Sequence, residues 1–216
     1  MKTISQLFPV VLMTLFFYGC GPELKKNYWE NGNTRSVLEY KGEMLNGTAT
    51  WYFENGNKEQ EVTYLNNELN GPMTRWYSNG TIETTTIYVR GNLEGKALTY
   101  NEKGRLISEE NYLRDTLNGG FAIWYDDGTY KIKGQYDMGL FTGQWTYYDV
   151  LGNIVGVGNY VKGTGMQKAW WPNGKLKREI PYLNNLKEGA ERWFDEKGDL
   201  ENTVYYHQGT RIENPE

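Results

Sequence analysis

Residues 51–71 read WYFENGNKEQEVTYLNNELNG, and residues 76–95 read WYSNGTIETTTIYVRGNLEG. In each, an aromatic pair leads to Asn-Gly, a tyrosine follows eight residues after that glycine, and a second glycine closes the unit seven residues later. The first glycine recurs as Gly32, Gly56, Gly80, Gly104, Gly128, Gly152, Gly174 and Gly198, at intervals of 24 residues except one of 22. The second column is Gly47, Gly71, Gly95, Gly119, Gly143, Gly165 and Gly189. Tyr40, Tyr64, Tyr88, Tyr112, Tyr136, Tyr160, Tyr182 and Tyr206 form a third, and Tyr28, Tyr52, Trp76, Tyr100, Trp124, Tyr148, Trp170 and Phe194 a fourth. Such periodicity outranks any element-by-element reading.

A unit of this length holds two strands and two turns. Asn-Gly and Asp-Gly accept the positive φ that tight hairpin turns need. The residue two beyond the first glycine (Ile82, Leu106, Tyr130, Ile154, Leu176, Leu200) has the parity of the tyrosine six residues on, so both fall on one strand face. Glycine and β-formers interrupt every helical window. The expected fold is all-β: about eight hairpins, of about 24 residues each, side by side in one elongated antiparallel sheet over residues 28–206. A lone hairpin is marginal, so each aromatic is expected to stack on its equivalent in the next unit. The short interval places two missing residues in the loop Val161–Thr164 rather than in a strand. The tail 207–216 is expected to cover the sheet's last edge.

Composition narrows the function. The chain has 216 residues with 26 Gly, 18 Tyr and 8 Trp, but one His and one Cys. A single cysteine excludes an internal disulfide and multi-cysteine zinc sites. A single histidine, His207, leaves no two-histidine metal site. The net charge is −4, and no basic stripe suits nucleic acid. No cofactor, metal or catalytic residue is expected.

Residues 1–19 differ from the rest. Lys2 precedes the apolar run Ile4–Tyr18, and Gly19 precedes Cys20. The run is short for a membrane span and has the form of a secretory signal peptide. Gly19-Cys20 resembles a bacterial lipoprotein cleavage site, which implies lipidation of Cys20, a tether over 20–27, and an envelope location, outer membrane facing periplasm or surface. Without residues 1–19, 22 basic residues face 27 acidic ones, a balance of −5.

The two quoted units resemble the MORN-repeat variant of bacterial proteins. The resemblance covers residues 28–206, with Lys103-Gly104, Leu151-Gly152 and Lys197-Gly198 departing from Asn-Gly. It implies a non-enzymatic scaffold that binds a protein partner, attaches near membranes and can self-associate, and in some cases an antitoxin or immunity component whose partner is a toxin. The columns containing Tyr52, Tyr64, Trp76, Tyr88, Tyr112, Trp124, Tyr136, Tyr160, Trp170 and Tyr182 are read as structural. In Trp76-Tyr77, Trp124-Tyr125 and Trp170-Trp171 the neighbours point to opposite faces, so Tyr77, Tyr125 and Trp171 are the candidate binding row for a protein or, alternatively, for glycan or peptidoglycan. Asp126-Asp127-Gly128 reads as turn chemistry rather than a calcium loop, and Glu109-Glu110 as a solvated strand.

Overall fold

A computed structural model describes residues 21–214, so Cys20 and the segment read as a signal peptide lie outside the described residues. The described residues form a single open antiparallel sheet of 20 strand segments in chain order. Asn92–Leu93, Thr116–Leu117 and Leu186–Lys187 are first parts of strands that continue beyond a bulge, which leaves 17 strands. At about 4.8 Å between strands, the sheet runs about 75–80 Å. It starts earlier than the sequence suggests: Glu23–Tyr28, which begins inside the stretch 20–27 read as a tether, pairs with Thr34–Lys41. It also ends later, because Thr210–Ile212 of the tail adds a last strand.

The two turn classes are reversed relative to the sequence reading. The tight two-residue turns lie between repeats. Leu65 pairs with Glu68 across Asn66 and Asn67, whose φ values are 52° and 68°. Asn and Asp tolerate this region; Arg90-Gly91 and Lys162-Gly163 put glycine at the second position, and Gly42-Glu43 puts it at the first. The Asn-Gly turns are wider. The Gly56 amide donates to the Phe53 carbonyl at 2.9 Å and the Phe53 amide to the Asn57 carbonyl at 2.9 Å, with only Gly56 at positive φ (89°). Asn55 serves as a linker: its Oδ1 accepts the Asn57 amide and its Nδ2 donates to Ser78 O of the next repeat at 2.8 Å. Asn31, Asn79 and Asn173 make the same step to Glu54, Glu102 and Glu196. Where the asparagine is absent, an Asn or Asp two residues earlier holds the turn instead: Asn101, Asp149 and Asp195 each accept two amides.

The second glycine column is not a turn marker. Gly71 lies inside the strand Glu68–Trp76, opposite Tyr88, at φ 133° in a bulge where a Cβ would stand 2.9 Å from the Thr63 Cβ. The short repeat removes this bulge, not the loop. Val161 pairs with Thr164 across the usual two-residue turn, and Tyr160 faces Gly165 with no register shift. Excising two residues from a bulge restores an ordinary ladder, so the strand tolerates it.

One face carries the tyrosines and the residues two before them; the other carries threonines and ion pairs such as Arg192–Glu179 at 2.9 Å. The core is a thin seam, with Ala49, Val62, Trp145, Tyr160 and Ile180 at 0–3% exposure. The expected tyrosine-on-tyrosine stack is corrected. Equivalent residues are two strands, about 10 Å, apart, so the strand between must fill the gap. Leu69 and Leu93 sit opposite Tyr64 and Tyr88, and Phe141 opposite Tyr136. Among the described residues, rings meet continuously from Tyr136 to Tyr182: Phe141 lies 5.4 Å from Tyr136 and 5.3 Å from Tyr160, and Tyr160 5.6 Å from Tyr182 across Gly165.

Candidate binding groove

Reading across the aromatic face near the Asn-Gly turns, one row of paired residues runs Trp51, Gln60, Arg75, Thr84, Thr99, Ser108, Ile123, Ile132, Tyr147, Gly156, Ala169, Arg178, Trp193. The two smallest residues of the row, Gly156 and Ala169, pair directly, so the row is lowest there. The result is a depression of about 1100 Å³ across the sixth to eighth repeats, floored by Gly156, Ala169 and Gln167 and walled by Tyr147, Trp193 and the Trp170–Pro172 corner. It coincides with the shortened repeat. On this edge, each other pair of neighbouring turns is joined by a side-chain hydrogen bond, as from Tyr125 to Tyr148 or Arg105 to Asp126, but none joins the Asp149 turn to the Trp171 turn among the described residues.

The groove's electrostatics are mixed. Lys177 Nζ lies 4.1 Å over the Trp171 ring, and the Arg178 guanidinium 4.6 Å over Trp193. Glu191, 2% exposed, accepts from Lys187 at 2.6 Å and sits 3.7 Å from Arg178. Asp149 is held below the usual carboxylate range by Asn153, whose side chain and amide donate to it. Burial pushes the Tyr147 phenol up to about 12. Behind it Tyr160, 3% exposed, lies across Gly158, and among the described residues the Tyr147 phenol is the polar neighbour of its buried hydroxyl.

Of the three residues read as a binding row, only Trp171 lines the groove. Tyr77 and Tyr125 do not form a row with it. Each sits just past its strand, half-buried, and donates to a backbone carbonyl of the next repeat: Tyr77 to Tyr100 O and Tyr125 to Tyr148 O, both at 2.9 Å. Trp29 and Trp171 donate likewise to Tyr52 O and Phe194 O at 3.0 Å. These donors occupy repeats one, three, five and seven; the even repeats carry Phe53, Asn101, Asp149 and Asp195 there. Trp170, read as structural, is at 36% among the more exposed rings. The structural column of Tyr52, Trp76 and Trp124 pairs across a register shift with the residue two beyond the glycine, as in Trp124 against Tyr130 at 5.3 Å, rather than with its own kind.

The acidic candidates resolve as turn and surface chemistry. Asp127 Oδ1 accepts the Thr129 amide at 2.8 Å. Glu109 and Glu110 point to opposite faces, Glu109 to Lys96 at 2.8 Å and Glu110 to the Tyr112 hydroxyl, so they cannot act on one bond. His207 pairs with Glu188 at 2.9 Å. Among the described residues, no cluster of His, Cys, Asp and Glu is arranged to hold a metal, and no helix is long and apolar enough to cross a membrane.

The bulge glycine, the wide turn and the tyrosine followed by a two-residue turn together define the unit that comparison recovers. Residues 45–66, 93–113, 164–184 and 187–208 each match the MORN repeat variant. Two of these MORN-variant spans contain Lys103-Gly104 and Lys197-Gly198, so the family pattern accommodates turns without Asn-Gly. A third, 164–184, is the repeat that lacks the bulge and carries Trp170, Trp171, Lys177 and Arg178 of the groove. No curated protein matches the chain.

Proposed function

We propose that this chain is a non-enzymatic repeat lipoprotein of the bacterial envelope, anchored through Cys20, whose sheet presents a groove to a protein partner. The supporting observation is the groove itself, formed where Gly156 and Ala169 interrupt a row of larger side chains and the turn-to-turn hydrogen bonds stop. MORN-variant repeats favour a scaffold over an enzyme, and an immunity role, with a toxin as partner, is the most specific form of this reading. Glycan binding is less well supported. A sugar ring stacks on an open aromatic face, and Lys177 and Arg178 cover faces of Trp171 and Trp193.

The test is affinity capture from envelope extracts with the full chain and with Ala169→Leu, which fills the groove floor. A partner retained by the first and lost by the second is expected. Capture of the same proteins by both variants, or of none by either, sinks the groove reading. Cys20→Ala is expected to move the protein out of the membrane fraction; unchanged fractionation would overturn the anchor.

A further inference from the structure

The groove's chemistry specifies more than a protein partner, and the narrower specification rests on the protein-binding reading. The floor is apolar and small, between the Tyr147 and Trp193 rings, and takes a large apolar side chain. At its rim stand two cations. Lys177 forms no ion pair among the described residues and rests on Trp171. Arg178 has Glu191 for a neighbour at 3.7 Å, but that carboxylate is already bound by Lys187 at 2.6 Å. The one carboxylate on the groove's own edge, Asp149, is engaged by amides of its turn. A chain with net charge −4 thus carries a locally cationic concavity. The cations are also preorganised: each lies against an indole, so little rotamer freedom is lost on contact with an anion.

We infer that the groove seats an acidic peptide segment of the partner, with an apolar side chain over Gly156 and Ala169 and an adjacent carboxylate against Arg178 and Lys177. Glu191, shared between Arg178 and Lys187, then holds Arg178 over Trp193. The requirement for both an apolar body and a carboxylate separates this seat from a purely hydrophobic patch, and acidic overall charge disfavours nucleic acid as the occupant.

The experiment titrates the purified full chain with acetyl-Phe-Glu-Phe-amide, its isostere acetyl-Phe-Gln-Phe-amide, and chitotetraose, followed by tryptophan fluorescence and calorimetry. The glutamate peptide is expected to bind at least about fivefold more tightly than the glutamine peptide, about what one partly exposed ionic contact contributes. The advantage should shrink as salt rises. Lys177→Gln and Arg178→Gln should each erase most of it, and Ala169→Leu should remove binding of both peptides. Circular dichroism checks the fold of each, and Lys177→Gln, which breaks no ion pair among the described residues, keeps the test valid if Arg178→Gln unfolds. Equal affinity for the two peptides, saturable binding of chitotetraose alone, or binding indifferent to Ala169→Leu would each overturn the proposal. If envelope capture succeeds and is lost in Ala169→Leu while the peptides fail to discriminate, the acidic seat falls and the protein-binding reading stands. If capture and peptides both fail, both fall.

Discussion

Gly134→Ala tests the packing of the central aromatic seam. Gly134 is buried inside the strand Tyr130–Asp137, and a Cβ there would be built into the six-membered ring of Trp145, within 2.7 Å of Cε3. Trp145 is 3% exposed and boxed: Phe141, Tyr136 and Phe121 lie 4.6, 5.0 and 5.3 Å from its ring, and Nε1 donates to Gln135 O at 3.1 Å. If the indole leaves, burial of some 150–250 Å² is lost, about 4–6 kcal/mol at 25 cal/mol/Å². If it stays, the cost is overpacking, about 1–3 kcal/mol. The cheaper route decides, and a ring blocked on three sides belongs near its upper end. Against this, alanine removes unfolded-state freedom worth about 0.4–1 kcal/mol. The expected net loss is about 2 kcal/mol. Gly120→Ala on the neighbouring strand is the control, since its Cβ would meet only Asn111 Nδ2 at 3.6 Å. It should be stabilising by about 0.5 kcal/mol. Urea unfolding, followed by tryptophan fluorescence and circular dichroism, measures both. Values for the two variants within about 0.5 kcal/mol of each other would refute the argument that the glycine exists to receive the Trp145 ring.

Tyr160→Ala should cost about 4 kcal/mol, as for a large buried aromatic, and Tyr112→Ala about half that, because Tyr112 faces Leu117 and Gly95 rather than other rings; thermal melts giving equal losses would contradict the interleaved packing. Asn79→Asp keeps the acceptor for the Thr81 amide but loses the donor to Glu102 O, so it should cost about 1 kcal/mol, and Asn79→Ala more. Amide exchange at Thr81 should quicken in the alanine variant and not in the aspartate one. At alkaline pH, burial raises the folded pKa of Tyr147 to about 12 against 10 for an ordinary phenol. The folded state therefore holds its proton longer, and stability should be intact below pH 10 and fall as pH rises towards 12. Tyr147→Phe should remove part of that fall, burial of Tyr112 and Tyr160 leaving the rest, in urea midpoints measured across the range.

The architecture was legible because glycine and tyrosine mark geometry directly: a residue every 24 positions that tolerates positive φ fixes the hairpins, and parity fixes the tyrosine face. Which turn was tight could not be read from Asn-Gly alone. The dipeptide suits both a two-residue turn and a wider one, and Asn66-Asn67, the actual tight turn, looks like ordinary loop. The missing pair of residues was misplaced for a similar reason, since a bulge and a loop lengthen a repeat equally. The groove was visible in principle. Aligning the residue four beyond each first glycine gives Ser36, Gln60, Thr84, Ser108, Ile132, Gly156, Arg178 and Asn202, and Gly156 stands out. Its meaning needed the register that sets Ala169 beside it. Tyr77 and Tyr125 were misread because alternation of faces stops where the strand stops, one residue before them.

The alternation of ring donors between odd and even repeats has a consequence for how such a chain can grow or shrink. Trp29, Tyr77, Tyr125 and Trp171 each stitch their own repeat to the one after it, and the even repeats return no equivalent stitch. The natural module is therefore a couple of hairpins, not one. Removing a single repeat would bring two donor-bearing or two donor-free hairpins together, whereas removing a couple would rejoin the pattern in phase. Variants of different length should be viable in steps of two, and the boundary between couples, where the groove opens between the sixth and seventh repeats, is the natural place for the array to be cut.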